Sequence, residues 1–195
     1  MSGNIMVNQY TPVRKVNKHL IYTPRPIPPT QSILSELSKK SLFSAIDISK
    51  AYQQLPLKGD KIGIITEFGV FRFTRLPYGL ASAPYWWGEF IQTIINKVNV
   101  KSTSVIRYYY DDIVIASNDA TEHFAVIHSL FEQLDLHGLT VSESKLQLSQ
   151  TTIHFLGYNI SKDRLAIDDE KIKTIQNWKL PTDKEGIVKF IGFVN

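Results

Sequence analysis

The sequence predicts an α+β fold, and three observations carry that expectation. Apolar residues alternate with a period of two over 42–48 and flank an acidic pair within 105–116, whereas 31–40, 84–95 and 119–137 place them at helical spacing. Strands and helices read in this way do not follow the βαβα order of a doubly wound parallel sheet. The opening stretch holds Pro12, Pro24, Pro26, Pro28 and Pro29, a density that excludes a long helix or a central strand and leaves extended chain or edge structure.

The elements follow in order. From Gln31 to Lys40, Ile33, Leu34 and Leu37 make the apolar stripe of a short helix, with Thr30 or Ser32 available as its N-cap. Leu42 to Ile48 is a strand in which Leu42, Ser44, Ile46 and Ile48 face one way and Phe43, Ala45 and Asp47 the other, with a carboxylate at its far end. Ile62 to Leu76, punctuated by Gly63 and Gly69, has the pattern of a hairpin. Pro84 suits a first helical turn, and Trp87, Phe90, Ile91, Ile94 and Ile95 give that helix one broad apolar face. Val105 to Ala116 reads as a buried hairpin around Asp111 and Asp112. Asp119 with Glu122 reads as a capping box for a helix carrying Phe124, Ile127, Leu130, Phe131 and Leu134 and ending at Gly138. Ile153 to Ile160 reads as one short strand, and Glu170 to Trp178 as a short helix stopped before Pro181.

Composition narrows the chemistry. The 195 residues contain no cysteine, which excludes disulfides and thiolate metal sites and leaves oxygen or imidazole ligands for any metal. No run of 18 apolar residues is present, so no membrane span is expected, and an intracellular protein is. The net charge of +4 is unevenly placed: residues 1–80 carry 11 Lys and Arg against 4 acids, and residues 81–195 carry 11 against 14. The N-terminal part is therefore the candidate phosphate-binding surface.

Tyr109-Tyr110-Asp111-Asp112 lies between Val105-Ile106 and Ile113-Val114-Ile115. Two carboxylates in an apolar hairpin are costly unless paired or protonated, so either they bind a cation or they sit at an exposed turn, where Asp is common. Asp47 ends a separate strand and, taken alone, reads more often as a helix cap for the segment that follows, a role for which Ser49 competes. Were that strand to lie beside the hairpin, three carboxylates would converge into a site suited to hard divalent ions and to nucleotidyl transfer.

Four segments, Ser44-Ala-Ile-Asp-Ile-Ser-Lys-Ala-Tyr52, Arg75-Leu-Pro-Tyr-Gly-Leu-Ala-Ser-Ala-Pro84, Tyr109-Tyr-Asp-Asp112 and Phe155-Leu-Gly-Tyr158, come in the order and spacing of reverse transcriptase motifs A, B, C and E. The chain resembles the reverse transcriptase domain of gypsy-type long-terminal-repeat retrotransposons and retroviruses. Arg14-Lys-Val-Asn17 resembles the fingers motif, and Ile175 to Asn195 the start of the thumb, so the resemblance covers nearly the whole chain. It implies a right-hand polymerase fold, with fingers at about 1–22 and 55–82, palm at about 23–54 and 83–165, and thumb from 166.

The activity implied is RNA- or DNA-templated DNA synthesis with two Mg²⁺ ions, or Mn²⁺ in their place, on Asp47, Asp111 and Asp112. The partners implied are a primed RNA or DNA template, dNTPs, and RNase H and integrase regions of the same polyprotein, in the cytoplasm, in a virus-like particle, or in the nucleus. Tyr52 matches the steric gate against a ribose 2′-hydroxyl, Arg14 the arginine on the incoming triphosphate with Lys61 beside it, and Lys145 the lysine that protonates pyrophosphate. Tyr78, Gly79, Tyr109 and Tyr110 complete the substrate-binding set, and Phe155, Leu156, Gly157 and Tyr158 match the primer grip. Each has a plainer reading as core, turn or surface residue. Trp87-Gly88 stands where relatives commonly have Phe-Gln, a departure in the helix on the template side. Two other readings remain: a catalytically silent remnant that binds nucleic acid, and a polymerase that uses ribonucleotides.

Overall fold

A computed structural model describes residues 5–8, 17–18, 29–58 and 62–194. Arg14 and Lys61 lie outside the described residues.

The centre of the fold is a four-stranded antiparallel sheet in the order β5-β6-β2-β7, formed by β2 (Leu42–Asp47), β5 (Ser104–Tyr109), β6 (Asp112–Ser117) and β7 (Gln147–Gln150). The alternation read in the sequence decides what each face does. Ile46, Ile48, Ile113 and Ile115 face a core shared with α3 (Ala83–Ile95) and α4 (Ala120–Leu136), where Trp87, Ile91 and Leu130 are fully buried. Phe43, Ala45, Val114 and Ala116 face a second core against α1 (Thr30–Leu37) and the β8–β9 hairpin (Thr152–Phe155 and Tyr158–Ser161). The strand that ends in Asp47 thus lies beside β6 in the middle of the sheet and is covered on both sides.

A second sheet, ordered β1-β3-β4, joins β1 (Ile5–Asn8) in parallel to the hairpin of β3 (Ile62–Thr66) and β4 (Gly69–Arg72). Gly63 is not the breaker the sequence suggested. It sits within β3, where an added Cβ would lie 2.6 Å from the Phe71 carbonyl oxygen, so it permits close approach of β4. The reversal comes at Glu67-Phe68, and Phe68 is 82% exposed. The third sheet, β10-β9-β8, adds β10 (Arg164–Ile167) and leads to α5 (Asp169–Gln176) and α6 (Lys184–Val194). The remaining helix, α2 (Ala51–Gln54), follows β2 directly.

Several expectations need correction. Neither Thr30 nor Ser32 caps α1: Pro29 holds the N-cap position, and the Ser32 hydroxyl donates back to the Pro29 carbonyl at 2.7 Å. Ile153 to Ile160 is two strands, because Leu156 and Gly157 both take positive φ, +52° and +75°, the two-residue turn whose twist suits a hairpin. Phe124 is exposed, and the buried face of α4 carries His123 and Val126 beside Ile127, Leu130 and Leu134. Only half of the capping box forms. Asp119 accepts from the Glu122 N–H at 2.7 Å, but the Glu122 carboxylate accepts from the Lys101 N–H at 2.9 Å instead of returning to its own helix.

Candidate active site

β2 and β6 pair in a register that places Asp47 opposite Asp112. Both residues follow the parity of Phe43, Ala45, Val114 and Ala116, so the two side chains stand on the same face of the sheet. Like charges directly opposite on neighbouring strands repel and destabilise the pair. Asp111 is one residue away in the two-residue turn Tyr110-Asp111 that joins β5 to β6. Asp111 is in a turn, as an Asp commonly is, but the turn is not fully exposed: both carboxyls are half-buried.

The backbone around these residues is held tightly. The Asp47 carbonyl accepts from the Ser142 N–H at 2.9 Å, and the next N–H, that of Ile48, donates to the Asp111 carbonyl at 2.9 Å. Tyr110 adopts φ +52°, a left-handed conformation that is uncommon for a bulky residue and persists only where its surroundings enforce it. One enforcing contact is on α3, where the Trp87 indole N–H donates to the Tyr110 carbonyl at 2.8 Å.

The electrostatics are unbalanced. Burial, and then the Asp47 charge, hold the Asp111 carboxyl above the usual carboxylate range, with Lys145 opposing. Asp112 is raised for the same reasons with Asp111 added. Asp111 Oδ1 is buried and has no hydrogen-bond partner among the described residues, a costly condition for a carboxylate oxygen. The Lys145 ammonium, on a 3-10 turn (Glu143–Lys145), donates to Asp47 Oδ2 at 3.0 Å, and that bond raises the lysine above its ordinary value. Among the described residues no three acidic, His or Cys side chains form a ready-made metal cage.

A cavity of about 560 Å³ runs from Asp47, Asp112 and Lys145 to Phe155, Leu156 and Gly157. It brings the residues matched to the primer grip to the same opening as the carboxylates. Phe155 is buried in the second core and still lines the cavity, Leu156 and Tyr158 both pack against that core, and the Leu156-Gly157 turn reaches the cavity while Tyr158 is not part of its lining. Gln147, which the sequence reading did not single out, ties the two sides together. Its amide donates to the His154 carbonyl and accepts from the His154 N–H, both at 3.0 Å.

Tyr52, on α2, lies edge-on to Tyr78 and to Trp87, with ring centroids 5.5 and 6.2 Å apart. Burial first, then the Asp111 charge, push its hydroxyl up to about 12, so it stays neutral at physiological pH. Tyr78 is half exposed, and Tyr109 and Tyr110 meet edge to face at 4.9 Å. Gly79 takes φ +85°, as its turn requires.

Two polar clamps escaped the sequence reading. The Asn17 amide donates to the Gly79 carbonyl at 3.1 Å and accepts from the Ala81 N–H at 2.9 Å, which holds the turn beside Tyr52. The Gln54 side chain bonds to the Ser49 carbonyl and to both Thr140 backbone groups, fixing α2 against the strand of Asp47. Asn17 had a signal, since it closes the fingers motif. Gln54 had none beyond its place two residues after Tyr52.

Comparison with known proteins decides the family. The sequence model of the family described as reverse transcriptase (RNA-dependent DNA polymerase) matches residues 3–160. This chain belongs to that family. It is 31% identical over 193 residues to the Transposon Tf2-3 polyprotein of Schizosaccharomyces pombe, and equally to the Transposon Tf2-7 polyprotein of the same organism; each match covers 97% of this chain and 14% of the relative. The chain thus spans about one seventh of these polyproteins, and the expected resemblance to a retroelement polyprotein is borne out.

Among solved structures it is similar to the foamy viral protease-reverse transcriptase, both in complex with double-stranded DNA (TM-score 0.82, 24% identity, 93% of this chain and 32% of that one) and in complex with an RNA/DNA hybrid (TM-score 0.81, 24% identity, 93% and 25%). The right-hand polymerase fold expected from the motifs is borne out by that likeness. Among the described residues no helix is long and apolar enough to cross a membrane.

Proposed function

We propose that this chain is the fingers and palm (residues 1–165) and the start of the thumb (166–195) of an RNA- and DNA-directed DNA polymerase that transfers deoxynucleotides to a primer 3′-hydroxyl. The observation that carries this reading is the Asp47–Asp112 pair on one sheet face, with the half-buried Asp111 beside it holding an orphaned oxygen. That donor set fits a hard divalent cation: it offers oxygen ligands only, it contains a buried acceptor with no partner among the described residues, and burial, then the Asp47 charge, raise the Asp111 and Asp112 carboxyls, a condition that positive charge would relieve. Asp47, Asp111 and Asp112 would hold two Mg²⁺ ions, or Mn²⁺ in their place, which when bound lower the pKa of the primer hydroxyl and offset charge on the departing pyrophosphate.

The chain's own residues divide the remaining work. The neutral Tyr52 ring, fixed by the Gln54 clamp and flanked by Tyr78 and Trp87, excludes a 2′-hydroxyl by volume. Arg14 and Lys61 belong to the basic N-terminal part that meets the triphosphate. Lys145, whose ammonium donates to Asp47, holds a proton on Nζ at the cavity where pyrophosphate would form. Tyr110, Gly79 and the Leu156-Gly157 turn shape the surface that a primed template would rest on. RNase H and integrase regions of the same polyprotein and a cytoplasmic or nuclear setting accompany this reading.

A silent nucleic-acid-binding remnant is the competing reading, favoured by the Lys145 ammonium already seated on Asp47. Single-nucleotide extension of a DNA primer on an RNA template, with Mg²⁺ and either dNTP or rNTP, separates the readings. The polymerase reading expects dNTP addition and little rNTP addition. Duplex binding that weakens with salt, with no addition in Mg²⁺ or Mn²⁺, would leave the remnant.

A further inference from the structure

The Tyr110-Asp111 turn has no slack of its own. Tyr110 is held at φ +52°, and both carbonyls of the turn are bonded from outside it. The Asp111 carbonyl receives the Ile48 N–H from the chain that has just left Asp47, and the Tyr110 carbonyl receives the Trp87 indole N–H at 2.8 Å. Trp87 is 1% exposed, wedged in the first core between α3 and the sheet. Its ring also meets Phe90, with centroids 6.1 Å apart, and Tyr52, whose ring stands at 86° to the indole. A second bond joins the same helix to β5 of the same hairpin, from the Tyr108 hydroxyl to the Gly88 carbonyl at 3.2 Å. A phenylalanine at position 87 would fill much of the same space and offer no donor, so the tie to Tyr110 depends on the indole nitrogen.

We propose that Trp87 is a positioning residue that couples the ring meeting the sugar of the incoming nucleotide to the turn bearing Asp111. Resting on the polymerase reading above, this deepens it: one rigid bicycle fixes the conformation of the turn through its N–H and the attitude of Tyr52 through its face. The two duties are separable by mutation, because the N–H serves only the turn and the ring serves both.

Trp87→Phe keeps an aromatic ring and removes the donor. It should lower the kcat for dNTP addition about tenfold, with KM for dNTP within about twofold, because a misplaced reacting group slows the chemical step more than it weakens binding. Mn²⁺ affinity of the nucleotide-free protein, read by electron paramagnetic resonance, should weaken about tenfold, as for other lost outer-shell supports. The dNTP-over-rNTP ratio should hold within about twofold for Trp87→Phe and fall about tenfold for Trp87→Leu, which also strips the support from Tyr52.

Tyr108→Phe, which deletes the neighbouring bond without touching the indole, should leave both Mn²⁺ affinity and kcat near wild type. Should Trp87→Phe not fold, a benzothiophene analogue of Trp at position 87 keeps the bicyclic shape and lacks the N–H. Unchanged kcat and Mn²⁺ affinity in the donorless variant would overturn the proposal, as would losses that merely track the folded fraction or that appear equally in Tyr108→Phe. A wild-type chain that extends no primer yet binds Mn²⁺ with an affinity dependent on Trp87 would sink the polymerase reading and uphold the positioning role.

Discussion

β2 and β6 carry polar side chains toward both ends of their pairing, and the two ends are treated in opposite ways. Toward the far end, Ser44, Ser117 and His123 are completely buried, and every one is bonded. The Ser149 N–H donates to Ser44 Oγ at 2.9 Å, Ser44 Oγ meets His123 Nε2 at 2.8 Å, His123 Nδ1 meets Ser117 Oγ at 2.9 Å, and Ser117 Oγ meets Ser104 Oγ at 2.7 Å. One nitrogen of the neutral His123 ring donates to a serine hydroxyl and the other accepts from one, so both ring nitrogens are satisfied. At the other end, Asp47 and Asp112 repel across the ladder and Asp111 keeps a buried oxygen with no partner among the described residues. The network specifies the core, although the Ser149 hydroxyl beside it finds no partner among the described residues, whereas crowded carboxylates with an unpartnered oxygen mark the place where positive charge from outside completes the structure.

The largest effect that sharpens this contrast concerns discrimination beside the unsatisfied end. Tyr52→Val should admit ribonucleotides, reducing the dNTP-over-rNTP ratio on the order of 10- to 100-fold in competitive incorporation, with no matching loss of fold. A ratio that does not move would detach Tyr52 from the site.

Next comes His123→Val at the satisfied end. It leaves Ser44 and Ser117 without their ring partner and should cost about 2–4 kcal/mol in denaturant unfolding, while the rate per folded molecule stays near wild type. A selective loss of rate would show that the two ends are not independent.

Asp111→Asn should do the reverse. Its carboxyl is raised in the folded state, so ionisation opposes folding once pH climbs past the unfolded value of about 4. Removing that charge at pH 7 should raise the melting temperature of the metal-free protein by roughly 2–4 °C, and Mg²⁺, which should stabilise the wild type, should add less to the variant. A lower melting temperature would mean that Asp111 supports the fold.

The smallest effect is in pH. Burial lowers the His123 pKa, so the native state binds fewer protons than the unfolded chain. That contribution to stability is whole above about pH 6.5 and declines as pH falls below it toward the lowered native value. The difference in melting temperature between wild type and His123→Gln should therefore shrink between pH 7.5 and 5.5, and a constant difference would show that the ring does not titrate in this range.

The two ends also differ in what a reader of the sequence could see. The site end was visible because carboxylates are conspicuous in apolar strands, and the alternation of Phe43 to Ile48 assigns Asp47 its face without any knowledge of neighbours. The network end was hidden. Ser44 reads as an ordinary strand residue, and nothing local shows that His123 on α4 will meet it. β7, β8, β9 and β10 have four residues each, too few to display a period, and Leu156 at positive φ is not a turn signal that composition reveals. Arg14 and Lys61 rest on motif resemblance. Trp87 could be read as core from its spacing, but its hydrogen bond depends on the register of α3 against the hairpin.

The most direct measurement is single-turnover primer extension by wild type and Asp111→Asn side by side, with Mg²⁺ and dNTP, each checked for folding in the same buffer. The wild type should add nucleotides and the variant, folded and higher-melting, should add none. Extension that survives Asp111→Asn would contradict the assignment of the carboxylate site.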